Sequence, residues 1–240
     1  MLLAGRVDRP VVSLTFDDGY ADNFVSLRAV AEEMEIPVAI FVTTQPVNLH
    51  CEFQHDLVRG IRGAFAMTWG QIRYWQGRGA EFGSHTRTHI KCGLVDDEVL
   101  DDEIAGSKAE FEAQLNKAPT FFAFPYGDRQ NMPLVAVRIA MSAYPYVLSS
   151  FGGENLPNSN RENAHLYRKK AYADPWELEL ELQSVFDLVA RVKRLFVKAE
   201  APEAASITGP ACSPETPKAR QNVVIDQSAN QFGSHRPSSS

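Results

Sequence analysis

The sequence predicts an α/β fold built on a parallel sheet, and three observations carry that prediction. Short β-branched or aromatic runs alternate with helical patterns from Met1 to Lys198, the β-α-β order that generates parallel strands. The chain has 240 residues, 44% of them hydrophobic, enough for one good-sized core. Polar clusters follow directly after several strand runs, at the carboxyl ends where such folds collect their chemistry. The sheet is open or closed into a barrel, and six strand candidates are few for a full eight-fold barrel.

Pro10 to Phe16 (PVVSLTF) reads as a buried strand and Ala21 to Met34 as a helix, with Phe24, Leu27, Val30, Ala31 and Met34 on one face. Pro37 to Thr43 (PVAIFVT) is the next strand. Thr68 and Gln71 form a capping box for a helix that runs through Trp75 and stops at Gly77-Arg78-Gly79. Ala80 to Ser84 follows as a strand. A long acidic helix starts at Asp96 or Asp97 and reaches Asn116, with Val99, Ile104, Phe111 and Leu115 facing inward. Thr120 to Phe124 (TFFAF) is another strand, Leu134 to Met141 a helix, and Tyr144 to Ser149 a strand. Gly152 to Asn163, rich in Gly, Asn and Pro, is a loop. Leu166 to Tyr172 is a late strand, and Asp174-Pro175-Trp176-Glu177 starts a last helix, running to about Phe196, with Asp as N-cap and Pro at its first position. The final residues, 199–240, hold 5 Pro and 7 Ser with no sustained apolar period and read as a disordered tail after a folded domain over 1–198.

Composition narrows the function. With 24 Lys+Arg against 30 Asp+Glu, a net charge of −6, the chain does not supply the basic surface that phosphate backbones require, so nucleic acid is not an expected partner. Three separated cysteines, Cys51, Cys92 and Cys212, make neither a disulfide framework nor a CxxC metal pair. No apolar run approaches the roughly 18 residues of a membrane span, and Met1 to Gly5 is too short for a signal peptide, which gives a cytoplasmic location as the expectation.

Three clusters carry chemistry. Thr15-Phe16-Asp17-Asp18-Gly19 ends the first strand, and two adjacent acids are costly there unless a cation or hydrogen-bond donors offset them, although Asp-Asp-Gly is also ordinary turn chemistry. Ser84-His85-Thr86-Arg87-Thr88-His89 leaves the third strand with two histidines four residues apart, within reach of one metal ion. A lone His pair at this spacing is also a common incidental pattern, and it gains weight here from the acidic turn at another strand end. One carboxylate with two imidazoles is a donor set that leaves positions open for water and substrate. The third cluster, Phe124-Pro125-Tyr126-Gly127-Asp128, again follows a strand.

Together these segments resemble the polysaccharide deacetylase family, the NodB-homology domain of carbohydrate esterase family four. Thr15 to Gly19 matches the family's T-F-D-D-G, His85 to His89 its H-[ST]-x-x-H, and Pro125 to Gly127 the end of its R-x-P-Y-G, in the family's order. The resemblance implies a distorted (β/α) barrel of fewer than eight units, and hydrolysis of an acetyl group from an N-acetylated sugar, oligosaccharide or polysaccharide. It also implies a divalent metal, usually zinc, with Co²⁺, Ni²⁺ or Mn²⁺ compatible with the same ligands. By position, Asp18, His85 and His89 would bind the metal, Asp17 would be the general base, and the backbone around Tyr126 would help hold the oxyanion.

Two departures stand out. Ala123 occupies the position of the arginine that pairs with the base in many members, and no Leu-x-His follows Arg168, where the sole histidine is His235. Arg168 is the candidate to replace the arginine, against the alternative of a surface residue in Arg168-Lys169-Lys170. His50, His55 and His165 are candidates for the missing acid, or Asp17 shuttles the proton itself. Trp69, Trp75, Tyr126 and Tyr146 are aromatic candidates for stacking on sugar rings, against plain packing. Competing functions are C–N hydrolysis of a small cyclic amide or imide, and a non-catalytic sugar-binding relative. The sequence does not specify an oligomeric state.

Overall fold

A computed structural model describes residues 12–150, 155 and 165–183. Six strands, β1 (Leu14–Phe16), β2 (Val38–Val42), β3 (Glu81–Ser84), β4 (Phe121–Ala123), β5 (Tyr146–Ser149) and β6 (His165–Tyr167), pair in parallel in sequence order. Because every strand runs the same way, the segments after β1, β3, β4 and β6 all emerge along one edge of the sheet.

The sheet is curled. In a flat sheet β1 and β6 would stand about 24 Å apart, at ~4.8 Å per strand. Yet Arg168, the residue after β6, reaches Thr15 Oγ1 in β1 at 3.4 Å. The expected distorted barrel with fewer than eight units is what forms.

Alternation along the strands sorts the core into two layers. Ala39 and Phe41 of β2, Phe121 and Ala123 of β4, Leu148 of β5 and Leu166 of β6 pack together on the concave side. Val38, Ile40 and Val42 of β2, with Phe82 of β3, point the other way, to a helix-facing cluster with Leu27, Trp69, Ile72, Trp75 and Phe111. Phe122, Phe124 and Val147 join Leu100, Ile104, Ala136, Ala140 and Tyr144 in a second such cluster.

The helices are α1 (Asn23–Leu27), α2 (Thr44–Leu49), α3 (Gln54–Val58), α4 (Trp69–Gln76), α5 (Asp97–Asp101), α6 (Ser107–Leu115), α7 (Leu134–Ala143) and α8 (Pro175–Leu182). The Thr68/Gln71 capping box forms as expected: Thr68 Oγ1 accepts the Gln71 N–H and Gln71 Oε1 accepts the Thr68 N–H. Asp174 likewise caps α8 by accepting the Trp176 and Glu177 amides, and Trp176 itself is exposed.

Two inward positions need correction. Met34 is 66% exposed and Val99 44% exposed, whereas Leu100 is buried in its place. Both helices contain a wide π turn, Arg28–Glu33 after α1 and Asp102–Gly106 between α5 and α6. The extra residue per turn shifts the phase on which a 3.6-residue pattern depends. α2 and α3 were not expected, being too short to show a period. β6 is shorter than the run from Leu166 to Tyr172. The expected Gly152 to Asn163 loop, apart from Asn155, the extension of α8 towards Phe196 and the tail over 199–240 lie outside the described residues.

Candidate active site

The turn after β1 is pinned from several sides. The Gly19 N–H donates to the Asp17 carbonyl at 2.8 Å, the Thr43 N–H to the Asp18 carbonyl at 3.0 Å, and the Met67 N–H to the Gly19 carbonyl at 2.8 Å. Asp18 sits at φ 67 and Gly19 at φ 84. A Cβ on Gly19 would lie 2.7 Å from Val42 Cγ1, so the close approach of β2 as well as the left-handed backbone demands glycine. The result is two carboxylates aimed over the edge of the sheet.

His85 continues the β3 ladder, its N–H donating to the Val42 carbonyl at 2.9 Å. Its ring is buried, and Nδ1 lies 2.7 Å from the Ala123 carbonyl, an atom that only accepts, so Nδ1 carries the proton and Nε2 presents a lone pair. Burial is the largest influence on this imidazole and keeps it below its ordinary 6.5 in spite of Asp17 and Asp18. His89, at φ 63, turns back over the site. Its N–H donates to Thr86 Oγ1 at 3.0 Å.

These elements bring Asp18, His85 and His89 together with one potential ligand atom from each within 4.8 Å of the others. His89 Nε2 comes within 3.1 Å of Asp18 Oδ1, and His85 Nε2 lies 3.8 Å from it. Asp18 Oδ1 and His89 Nδ1 are buried without a hydrogen-bond partner among the described residues. A buried carboxylate oxygen without a partner, with an imidazole lone pair facing it, is destabilising as it stands. A cation held between them removes that penalty, though not the one at His89 Nδ1, since this ring meets Asp18 through Nε2. The donor set fits a divalent metal.

Asp17 lies beside this group, 3.9 Å from His85 Nε2. Arg168, its side chain 9% exposed, grips both Asp17 oxygens: Nη1 donates to Oδ1, and Nη2 to Oδ2 at 3.0 Å. Nη2 also donates to Ser150 Oγ at 2.9 Å and Nε to the Ser149 carbonyl at 3.3 Å. Burial raises the Asp17 pKa, but His85 and Arg168 outweigh it and hold this carboxyl below the ordinary 3.8. Asp18 is shifted the same way, burial being outweighed by His89, His85 and His55.

A family model described as polysaccharide deacetylase matches residues 4–142. This chain belongs to the polysaccharide deacetylase family. Enzymes of this family depend on a metal in general. YxkH of Bacillus subtilis (strain 168), provisionally named a polysaccharide deacetylase, is 25% identical over 116 residues; the match spans 48% of this chain and 37% of that protein. Among solved structures, the Streptococcus pyogenes deacetylase PplD in complex with acetate superposes with a TM-score of 0.57 at 20% identity, covering 75% of this chain and 74% of that one. IcaB from Ammonifex degensii gives 0.58 at 21% identity over 75% and 76%. A de-N-acetylase from Aggregatibacter actinomycetemcomitans gives 0.59 at 18% over 75% and 78%. At these identities the likeness is one of fold.

The remaining family positions fall around the same edge. Tyr126, at φ 63 and 36% exposed, sets its ring 5.0 Å from that of His89. Gly127 follows at φ 60, where a Cβ would meet Ser150 Oγ at 2.5 Å. Ala123, the position without arginine, instead supplies the carbonyl that orients His85. Trp69 and Trp75 are core residues, and Tyr146 stacks on Phe121.

Of the three histidines considered for the acid, His50 is exposed at the end of α2 and His165 bonds Ser149 Oγ at 2.9 Å, next to Tyr167. His55 alone stands at the metal group, its ring centroid 4.2 Å from that of His89 and Nε2 3.9 Å from Asp18 Oδ2. It is held there by Tyr20, whose hydroxyl donates to Asp56 Oδ2 at 2.6 Å and lies 3.0 Å from His55 Nε2. Sequence reasoning missed Tyr20 and Asp56. The sole signal was that Tyr20 directly follows the Asp-Asp-Gly turn.

Proposed function

We propose that this protein is a metal-dependent hydrolase that removes an acetyl group from an N-acetylated sugar or polysaccharide. The observation that carries the reading is the division of labour between two adjacent aspartates. Asp18 is committed to the His85/His89 group, and Asp17, one residue away, is left outside it and oriented by Arg168.

In this reading Asp18, His85 and His89 hold the metal, and Zn²⁺ suits one carboxylate with two imidazoles. The chemistry such an ion supplies is Lewis acidity, which polarises the acetyl carbonyl and acidifies water. Asp17 takes the proton from the attacking water at the carboxylate oxygen that faces the site. Arg168 keeps that carboxylate ionised and in one orientation, so base and nucleophile meet without a search. In this reading the backbone at Tyr126 would help hold the oxyanion. The amine then needs a proton. Burial is the largest influence lowering His55, followed by His89, and its Nε2 is engaged with the Tyr20 hydroxyl, which gives its own proton to Asp56. The proton held by Asp17 is therefore the one returned to the leaving nitrogen.

The test is release of acetate from N-acetylglucosamine oligomers by protein loaded with Zn²⁺ or Co²⁺, with chelator-treated protein and Asp17→Asn as controls. Hydrolysis of cyclic ureides instead would move the substrate class to small cyclic amides. Bound metal with no hydrolysis of any acetylated amide would leave a sugar-binding protein.

A further inference from the structure

Glu103 lies in the wide turn Asp102–Gly106 and is 5% exposed. It makes no ion pair among the described residues. Its partners belong instead to the segment between the two histidines: Oε2 accepts the Arg87 N–H at 3.0 Å and the Thr88 N–H at 2.9 Å, and Oε1 accepts the Thr88 hydroxyl at 2.6 Å. The nearby guanidinium of Arg87 is turned away, to Glu110 and Asp102.

The segment so held is strained. Thr86 at φ 64 and His89 at φ 63 are both left-handed residues with a Cβ, a conformation that persists only where its surroundings impose it. The carbonyl side of the loop is fixed from α2, whose Thr44 and Gln45 amides donate to the Thr86 and Arg87 carbonyls at 3.2 and 2.8 Å. The amide side is fixed by Glu103. One buried carboxylate on a separate helix thus balances the donors that the loop would otherwise leave without partners.

We propose that Glu103 is a positioning residue for the metal group: its carboxylate clamps the His85–His89 loop in the conformation in which both imidazoles converge on Asp18. This rests on the metal-binding reading above. A neutral isostere reproduces the clamp only in part: an amide can turn its oxygen to the two backbone N–H groups and its nitrogen to the Thr88 hydroxyl, which also accepts, but it lacks the charge that strengthens all three bonds.

The test is a comparison of wild type, Glu103→Gln and Thr88→Val by Co²⁺ titration, the visible spectrum of the bound Co²⁺, and amide hydrogen exchange of the peptide over 84–90 in metal-free protein. Glu103→Gln should weaken Co²⁺ binding by about 10- to 100-fold, the range found when groups behind metal ligands are removed. It should also shift the ligand-field bands and speed exchange in that peptide. Thr88→Val, which removes one of the three bonds, should fold and show a smaller loss of about 2- to 10-fold. Affinity, spectrum and exchange all equal to wild type in either variant would overturn the clamp. Failure of wild type to bind Co²⁺ would sink the metal reading, and the exchange data alone would then judge whether Glu103 holds the loop.

Discussion

Arg168 and Asp17 are separated by 151 residues in sequence and joined by a two-pronged ion pair across the mouth of the curled sheet. A guanidinium matched to both oxygens of a carboxylate restricts its rotation as well as its charge state, which a single ammonium would not do. Ala123 stands at the position where many family members carry an arginine, and the guanidinium that meets Asp17 here comes from Arg168, directly after β6. Arg168→Ala should lower turnover by about 10-fold or more, a share of the roughly 10²- to 10⁴-fold due to a general base. Metal content should stay at the wild-type level. Arg168→Lys should recover little of the loss, and a rate unchanged in Arg168→Ala would remove Arg168 from the proposed machinery.

Asp17→Asn separates base from ligand. The variant should retain stoichiometric metal while its turnover falls by about 10²- to 10⁴-fold. Metal analysis alongside single-turnover kinetics checks both halves. Loss of metal in this variant would mean that Asp17, not Asp18 alone, belongs to the donor set.

Asp18→Ala, His85→Ala and His89→Ala should each abolish tight metal binding, since three protein ligands leave none to spare. Chelation of the wild type should also destabilise it: a ligand present at about 100 times its dissociation constant adds about 2.7 kcal/mol. Thermal unfolding with and without excess Zn²⁺ measures this, and identical midpoints would argue against a site within Asp18, His85 and His89.

In metal-free protein, acid should be destabilising well above the carboxylate range. His55, His85 and His165 are all held below their ordinary 6.5, burial being the largest cause for each. The unfolded chain therefore binds protons that the folded chain refuses, and stability rises with pH in that window. The contribution is complete above about 6.5 and is lost as pH falls towards the depressed values. A second loss should follow below 3.8 as Asp17 and Asp18 are protonated. Denaturant titrations of chelated protein between neutral and acid pH should show the first step, and a flat profile would contradict it.

Gly19→Ala should cost about 1 to 3 kcal/mol through its left-handed backbone alone. The contact at 2.7 Å with Val42 Cγ1 adds to that and moves the Asp17–Asp18 turn. Unfolding midpoint and metal affinity should fall together. Gly79→Ala, at φ 90 with open space around its Cβ, should lower stability without touching the site.

The sequence alone was enough for the order of the six strands and the longer helical segments between them, the Thr68 and Asp174 caps, and the three clusters at strand ends, though not for α2 and α3. These depend on local periodicity, on side chains bonding their own helix termini, and on motifs a few residues long. It was also enough to expect Asp18, His85 and His89 to act together. Tertiary structure decided what depends on distance in space rather than along the chain. The two wide turns rephased Met34 and Val99, since a pattern of 3.6 residues carries no sign of where a turn will open. The curl of six short strands placed Arg168 on Asp17, left His50 and His165 away from the metal group, and drew His55 against His89. The balance between burial and neighbouring charges then shifted each titratable group, towards the neutral form at His55 and His85 and towards the ionised form at Asp17 and Asp18, and that balance exists only once the chain has folded around it.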